Sequence, residues 1–485
     1  MSGDLTLAQK VAESSWGSAE PGLADAVAGW DREIEEQRSR VEEHAARLAR
    51  PGALPVVRTA WQYGAFGLSR AGWAVRQLPR DIVERRIFRE PATWAKESAA
   101  HVLRDQLVLL GPTGAEVARV IDQSEGLAPG FLVDEIRRRP IAIPPVEGRV
   151  VRRIVERTFG GAVQSVEEIA MTHTPMSQLH RGVLADGRRV AVRVRRPGVD
   201  LAMHADARIT ATLAGGLERL VPALRESHPL GFVELATRQM LEEVDLRNEA
   251  LNMVALAMAV EKLGITGIEV PRPIPGLARP RAVVLEGLAG RPFATAAHQL
   301  DPEKAALALV GITVEAALVE GVFHADLRPE HLAVLDDGRL AVWGCGTLGC
   351  FTPDTRRGAL KYLMAVLSGD FEGQVEAMRL SGAVPEGVDV ARLVADLQST
   401  PALQPMAMLA GGQESAMAGL RQAVVILLRH QLRPPIDVVL FVRSMFGLRT
   451  LLAKISPDAD LLTALMPVIQ RLPQLAEELE VVPSA

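Results

Sequence analysis

The stretch "RGVLADGRRVAVRVRRPGV" (residues 181–199) constrains the fold more than any other part of this 485-residue chain. Two alternating apolar runs flank Asp186-Gly187, a dipeptide suited to the positive φ of a tight hairpin. Strands are therefore expected here, in a chain that otherwise reads largely as helix. Val190, Val192 and Val194 share one face of the second strand, so Arg193 points to the other, toward a cleft. A long helical pattern follows ("FVELATRQMLEEVDLRNEALNMVALAMAVEKL"), and "RAVVLEGLAGRP" then reads as a short buried strand and a Gly-bearing linker. After residue 300 helices dominate, except within "GVFHADLRPEHLAVLDDGRLAVWGCGTLG" (321–349), where "LDDG" marks another hairpin turn.

Residues 1–110 read as a polar-rich helical extension holding five of the six tryptophans: Trp16, Trp30, Trp61, Trp73 and Trp94. "RTAWQYGAFGLSRAGWAVRQLP" mixes aromatics, small residues and flanking arginines. Packing on its own protein is the simpler reading, with a membrane surface or a partner as the alternatives. Residues 111–160 form a second helical segment, closed by the prolines of "RRRPIAIPPVEG". The net charge of −5 offers no basis for nucleic-acid binding. The start carries acids and lacks the apolar core of a secretion signal, and no apolar run is long enough to span a membrane. A cytoplasmic protein, at most peripheral to a membrane, is expected. Cys345 and Cys350 read as small thiols in a reducing compartment rather than as a disulfide or metal pair.

A small β-containing lobe, a linker and a helical lobe with "HADLRPEHL" early in it is the order of a protein kinase. A kinase-type loop uses an aspartate to orient the attacking hydroxyl and an asparagine five residues on to hold a metal. Asp326 fills the first place, with Arg328 two residues later, but His331 stands in the second. The metal-binding aspartate expected after the second hairpin is replaced by Gly344, within Gly344-Cys345-Gly346. The strand lysine that grips nucleotide phosphates is replaced by Arg193, and no lysine occurs between Lys96 and Lys262. Glu243 and Glu249 are the candidate ion-pair partners of Arg193.

These motifs resemble the UbiB/AarF family of atypical kinase-like proteins, many linked to ubiquinone and other isoprenoid-lipid metabolism. "VAVRVRRPGVD" is similar to its Val-Ala-Val-Lys-Val-Gln-Arg-Pro-Gly-Val, and "EVDLRNEALN" keeps Glu243, Asp245, Glu249 and Asn252 of another motif. "GVFHADLRPEHL" resembles Gly-x-Phe-His-Ala-Asp-Pro-His-Pro-Gly-Asn-Ile, and "LRPPIDVVLFVRSMFGLRTLLAKISPD" resembles the C-terminal Leu-Pro-Pro region. The similarity runs from about residue 110 to 460. The family's Lys-x-Gly-Gln falls on Glu116-Val117-Ala118-Arg119, after "LLGPTG", and its nucleotide loop falls on "TPMSQLH", keeping Gln178 and His180.

The resemblance implies an α+β, kinase-like, two-lobed fold with an N-terminal helical extension, its N-lobe over 161–290 and its helical C-lobe over 291–485. It implies Asp326 as a remnant catalytic residue and Arg193, Gln178, Glu243, Glu249 and Arg328 as nucleotide-binding residues. The metal positions, His331 and Gly344, are degenerate: glycine offers no side-chain ligand, and imidazole suits softer ions than magnesium. A pseudokinase is expected, an accessory or scaffold protein with a protein partner, binding ATP without magnesium or not at all. The alternative is an active atypical kinase or ATPase using Asp336, Asp337 or His331 as an unusual ligand. Arg193→Lys, His331→Asn and Gly344→Asp together are expected to rebuild part of the metal site, with Gly344→Asp contributing most.

Overall fold

The computed structural model describes residues 5–48, 91–123, 130–220, 243–287, 289–400, 429–456 and 461–478, with a few single positions between 237 and 427. The hairpin forms as its sequence requires. Strand β3 (Ser177–Leu184) pairs antiparallel with β4 (Arg189–Arg195), and Gly187 takes φ +85° at the turn. With β1 (Val163–Val166), β2 (Thr172–His173), β6 (Pro273–Arg279) and β7 (Ala282–Glu286) they make one antiparallel sheet in the order β1-β3-β4-β7-β6, with β2 on β3.

The alternation along β4 divides the sheet into two faces. Val190, Val192 and Val194 pack with Val151 and Val155 of a helix over Gly148–Phe159. Ala191 joins Leu179, Val283 and Leu285 in the main core. Arg193 is on that second face, opposite Leu179 and Val283 in the ladder.

The chain opens with helices α1 (Leu7–Ala12), α2 (Ser15–Ala19) and α3 (Leu23–Leu48). A capping box at Thr6 starts α1, and the Ser14 side chain caps α2. Helices α4 (Pro91–Leu109), α5 (Pro112–Gln123) and α6 (Gly130–Arg138) share a separate small apolar cluster that includes Leu107, Ala118 and Ile136. The helix over Gly148–Phe159 is α7, and α8 covers Val199–Leu220. Helix α9 (Leu246–Leu263) is capped by Asp245 and backs the sheet through Leu246, Ala250 and Val254.

A second sheet, in the order β5-β11-β10-β8, comprises Ile268–Glu269, Leu340–Val342, Leu332–Leu335 and Gly290–Pro292. Its β10–β11 turn uses Asp337 to accept the Arg339 amide, with Gly338 at φ +82°, so the Asp336-Asp337 pair does build the hairpin turn. Strands β9 (Val322–His324) and β12 (Leu348–Cys350) form a small pair beside it. Helices α10 (Pro302–Val310), α11 (Pro353–Ser368), α12 (Phe371–Leu380), α13 (Val390–Gln398), α14 (Ile436–Ile455) and α15 (Leu461–Glu478) build the rest of the C-lobe. The fold is α+β and two-lobed. Among the described residues no helix is long and apolar enough to cross a membrane.

The opening helices are built into this fold. Val11, Leu23, Val27, Trp30 and Ile34 enter the main core, and Trp16 packs at its edge. The backbone N–H and hydroxyl of Ser15 each donate to the Glu261 carboxylate on α9, both at 2.9 Å. Trp16 and Trp30 therefore serve packing. Trp61, Trp73 and the side chain of Trp94 lie outside the described residues.

Trp30 is only 6% exposed, so Trp30→Ala is expected to cost about 3–5 kcal/mol in urea unfolding. Leu201→Ala, at a residue 74% exposed, is the control and should change stability by no more than about 0.5 kcal/mol.

Candidate functional site

The loop after β9 is held by two buried histidines in opposite tautomers. Nδ1 of His324 accepts the Asp326 amide at 3.2 Å, and its Nε2–H donates to the Trp343 carbonyl at 3.3 Å. Nδ1–H of His331 donates to the Asp326 carbonyl at 2.8 Å, and its Nε2 accepts from Arg328 at 3.0 Å. Each ring uses one donor and one acceptor, so both are neutral. Burial lowers His324 from the ordinary 6.5 to about 4. Burial, reinforced by the neighbouring charge of Arg328, holds His331 well below its usual value.

The Asp326 carboxylate faces two guanidinium groups. Arg119 Nη1 donates to both of its oxygens, each at 2.9 Å, and Arg328 Nη2 lies 2.8 Å from Oδ2. Burial by itself would raise this carboxyl, but the Arg119 and Arg328 charges override it and hold it well below the carboxylate range. Arg119 comes from α5, where it also pairs with Glu116 one turn earlier. Burial, with Arg328 adding to it, draws Arg119 down to about 10. A carboxylate engaged by two arginines is a stable anion and a weak acceptor of a substrate proton. On α14, Arg443 donates to the Ala325 carbonyl at 3.3 and 3.2 Å and fastens the loop from behind.

Across the cleft Arg193 forms a buried ion pair with Glu249 at 2.8 Å, and its Nε donates to Ser177 Oγ at 3.0 Å. Of the two candidate partners α9 selects Glu249, which stands in the first turn of that helix. Burial raises the Glu249 carboxyl, against the lowering effects of Arg193 and the Gly344 amide. Glu243 precedes the helix and accepts from Thr347 Oγ1 at 2.9 Å. Asn252 donates to the Cys345 carbonyl at 2.8 Å and holds the segment after Gly344.

Arg193, Glu243, Glu249, Asp326, Arg328, His331 and Gly344 thus line one cleft, as the sequence led us to expect, and Glu116 and Arg119 line it too. Gln178 does not. It is paired with Val194 in the ladder, on the face turned from Arg193, where its amide bonds the Val146 backbone and lies 3.2 Å from His180 Nε2. The period of two along a strand decides this, since Gln178 and Ser177 cannot share a face. Sequence reasoning placed Glu116 and Arg119 in a family motif without making them site residues. The available signal was an Arg and a Glu one helical turn apart in that motif.

Gly344 and His331 are sterically joined. Gly344 has φ +75°, and a Cβ placed there would lie 2.4 Å from His331 Cδ2 and 2.7 Å from Nε2. The ring occupies the place an aspartate side chain would need, and about 20 Å³ of space remains in this part of the cleft. That is room for about one water. A magnesium–phosphate group does not fit the residues present. The imidazole must therefore be removed before a carboxylate can enter at position 344.

Gly344→Asp alone should destabilise the protein by about 2–3 kcal/mol through overlap and positive φ. Adding His331→Asn should recover the part due to overlap in urea unfolding and leave the cost of the positive φ. A pH effect follows from His324. The unfolded chain binds more protons between pH 6.5 and about 4, so stability falls as pH drops through that window. The loss is expected to reach about 3 kcal/mol, with His331 acting in the same direction. Asp326 acts below this window, because a depressed carboxyl loses its contribution only at lower pH. Unfolding free energies at pH 7 and 4.5 check the slope, which should flatten in His324→Gln.

Residues 140–378 match the model of the ABC1 atypical kinase-like domain. A chloroplastic aarF domain-containing protein kinase of Arabidopsis thaliana is 25% identical over 306 residues, covering 61% of this chain and 57% of that one. A probable protein kinase UbiB of Aeromonas salmonicida is 25% identical over 323 residues, covering 63% of this chain and 59% of its own length. The UbiB of Pseudomonas putida is 26% identical over 400 residues, covering 79% and 72% respectively. The chain thus spans less than two thirds of the length of the first two of these relatives. A solved erythromycin complex from Mycobacterium tuberculosis aligns with TM-score 0.47 at 20% identity, over 73% of this chain and 90% of that one. With the motifs in order along the kinase-like lobes and these relatives in agreement, the chain belongs to the UbiB/AarF family of atypical kinase-like proteins.

Proposed function

We propose that this member is a pseudokinase, an accessory or scaffold protein in isoprenoid-lipid or other small-molecule metabolism that carries out no magnesium-dependent phosphoryl transfer. The observation that carries the reading is the Asp326 carboxylate, bound by Arg119 and Arg328 in a cleft with room for about one water. Phosphoryl transfer depends on charges placed to receive a metal and the transferring group. Here the charges neutralise one another. His331 and Gly344 supply neither oxygen ligand nor space at the metal position. The reading further assigns the chain a protein partner and a cytoplasmic or membrane-peripheral setting.

Calorimetry with ATP, with and without magnesium, tests the central point. No magnesium-dependent heat and no magnesium-dependent rise in Tm are expected. A ligand at a hundredfold its Kd adds about 2.7 kcal/mol, so a real site would be visible. Tight binding that requires magnesium would overturn the reading in favour of an active atypical kinase. The combination Arg119→Ala, Arg193→Lys, His331→Asn and Gly344→Asp should introduce a magnesium-dependent ATP response that the parent protein lacks. Gly344→Asp without His331→Asn should not.

A further inference from the structure

Helix α9 is held from outside as well as from the cleft. Near its start Arg247 pairs with Glu33 of α3. Near its end the Glu261 carboxylate accepts the Ser15 amide and hydroxyl at the head of α2. These two ties stand about four helical turns apart along α9. A third joins Glu20 to Arg188 of the β3–β4 hairpin at 3.5 Å. Leu23, Val27, Trp30 and Ile34 recur at helical spacing and bury one stripe of α3 in the main core. Helices α1 to α3 are thus a fixed platform, and a second face of α3 is left over.

That second face carries a groove. Ala28, Asp31, Arg32, Glu35 and Glu36, with Ala8 of α1 opposite, line a largely apolar cavity of about 470 Å³ that shares no lining residue with the closed cleft. Ala8 and Ala28 are small and half-buried, so another helix can come close. Beside them Gly29, in the middle of α3, has open space where a Cβ would stand. A glycine there weakens the helix on its own account, and it leaves the backbone bare for a neighbour. The rim is acidic, with Asp31, Glu35 and Glu36 against Arg32 alone. Among the described residues Asp31 and Glu36 have no ion-pair partner. Asp31 and Glu35 lie one turn apart, about 6 Å, which matches cations four residues apart on a facing helix.

We propose that this groove docks a basic amphipathic helix of a protein partner, with the apolar face of that helix on Ala8 and Ala28 and its cations on Asp31, Glu35 and Glu36. The proposal rests on the protein partner assigned above and adds the surface and the chemistry that would recognise it. An acidic rim repels an anionic membrane and attracts a cationic peptide, and helix-in-groove recognition joins an apolar floor to such a rim. A peptide of four Leu-Ala-Lys-Lys repeats is the probe, and its Leu-Ala-Glu-Glu counterpart is the control. Calorimetry on the full chain should show saturable binding of the lysine peptide, weakening as salt rises, and none of the glutamate peptide. Ala28→Trp, which fills the groove, should weaken binding at least about tenfold. Asp31→Lys combined with Glu36→Lys, at exposed positions, should do the same if Ala28→Trp fails to fold, and should admit the glutamate peptide. No binding of the lysine peptide to the parent protein, or undiminished binding to a folded variant, overturns the proposal and leaves the pseudokinase reading in place. Binding of the parent protein, but not of Ala28→Trp, to phosphatidylglycerol vesicles gives the face to a membrane and overturns it as well. Magnesium-dependent tight ATP binding overturns the pseudokinase reading and leaves the groove assignment standing.

Discussion

The Arg119–Asp326–Arg328 contact sets the state of the whole cleft. It joins a helix outside the sheet, α5, to the loop after β9, and places two half-buried cations on one buried carboxylate. Ions removed from water are tolerated only when their partners are complete. Removing one member of such an arrangement strands the others, at a cost of about 3–5 kcal/mol. The loop geometry follows from the same demand. His324 and His331 remain neutral, and each uses its single acceptor nitrogen to satisfy a neighbouring donor.

The departures from the family pattern operate as a set. With glycine at 344, the His331 ring can lie where a side chain would otherwise stand, and the positive φ there suits glycine. With arginine at 193, a forked donor reaches both Glu249 and Ser177, which a lysine ammonium would satisfy less well. With arginine at 119, α5 reaches the catalytic-type aspartate directly. The three residues thus fill space and balance charge within one cleft.

Filling is confined to one end. The charged end is nearly solid, and the end beneath Ala191 and Leu285 stays open. The difference follows the charges: a buried ion must have a partner, whereas an apolar wall beside an open cavity carries no such penalty.

Much of this was legible in the sequence. The Asp186-Gly187 turn and the valine alternation determined the β3–β4 hairpin and the side on which Arg193 emerges, because turn chemistry and strand period are local. That positions 331 and 344 hold a histidine and a glycine was likewise plain from residue type. Three matters were decided only by tertiary structure. Gln178 looked like a cleft residue by motif, but register turned it to the other face. Glu243 and Glu249 were equivalent candidates until the start of α9 at Leu246 gave Arg193 to Glu249. Arg119 lies 207 positions from Asp326, and no local pattern states that their helix and loop will meet. Residue chemistry is written along the chain, but which charges neutralise one another depends on distances that exist only after the lobes have packed.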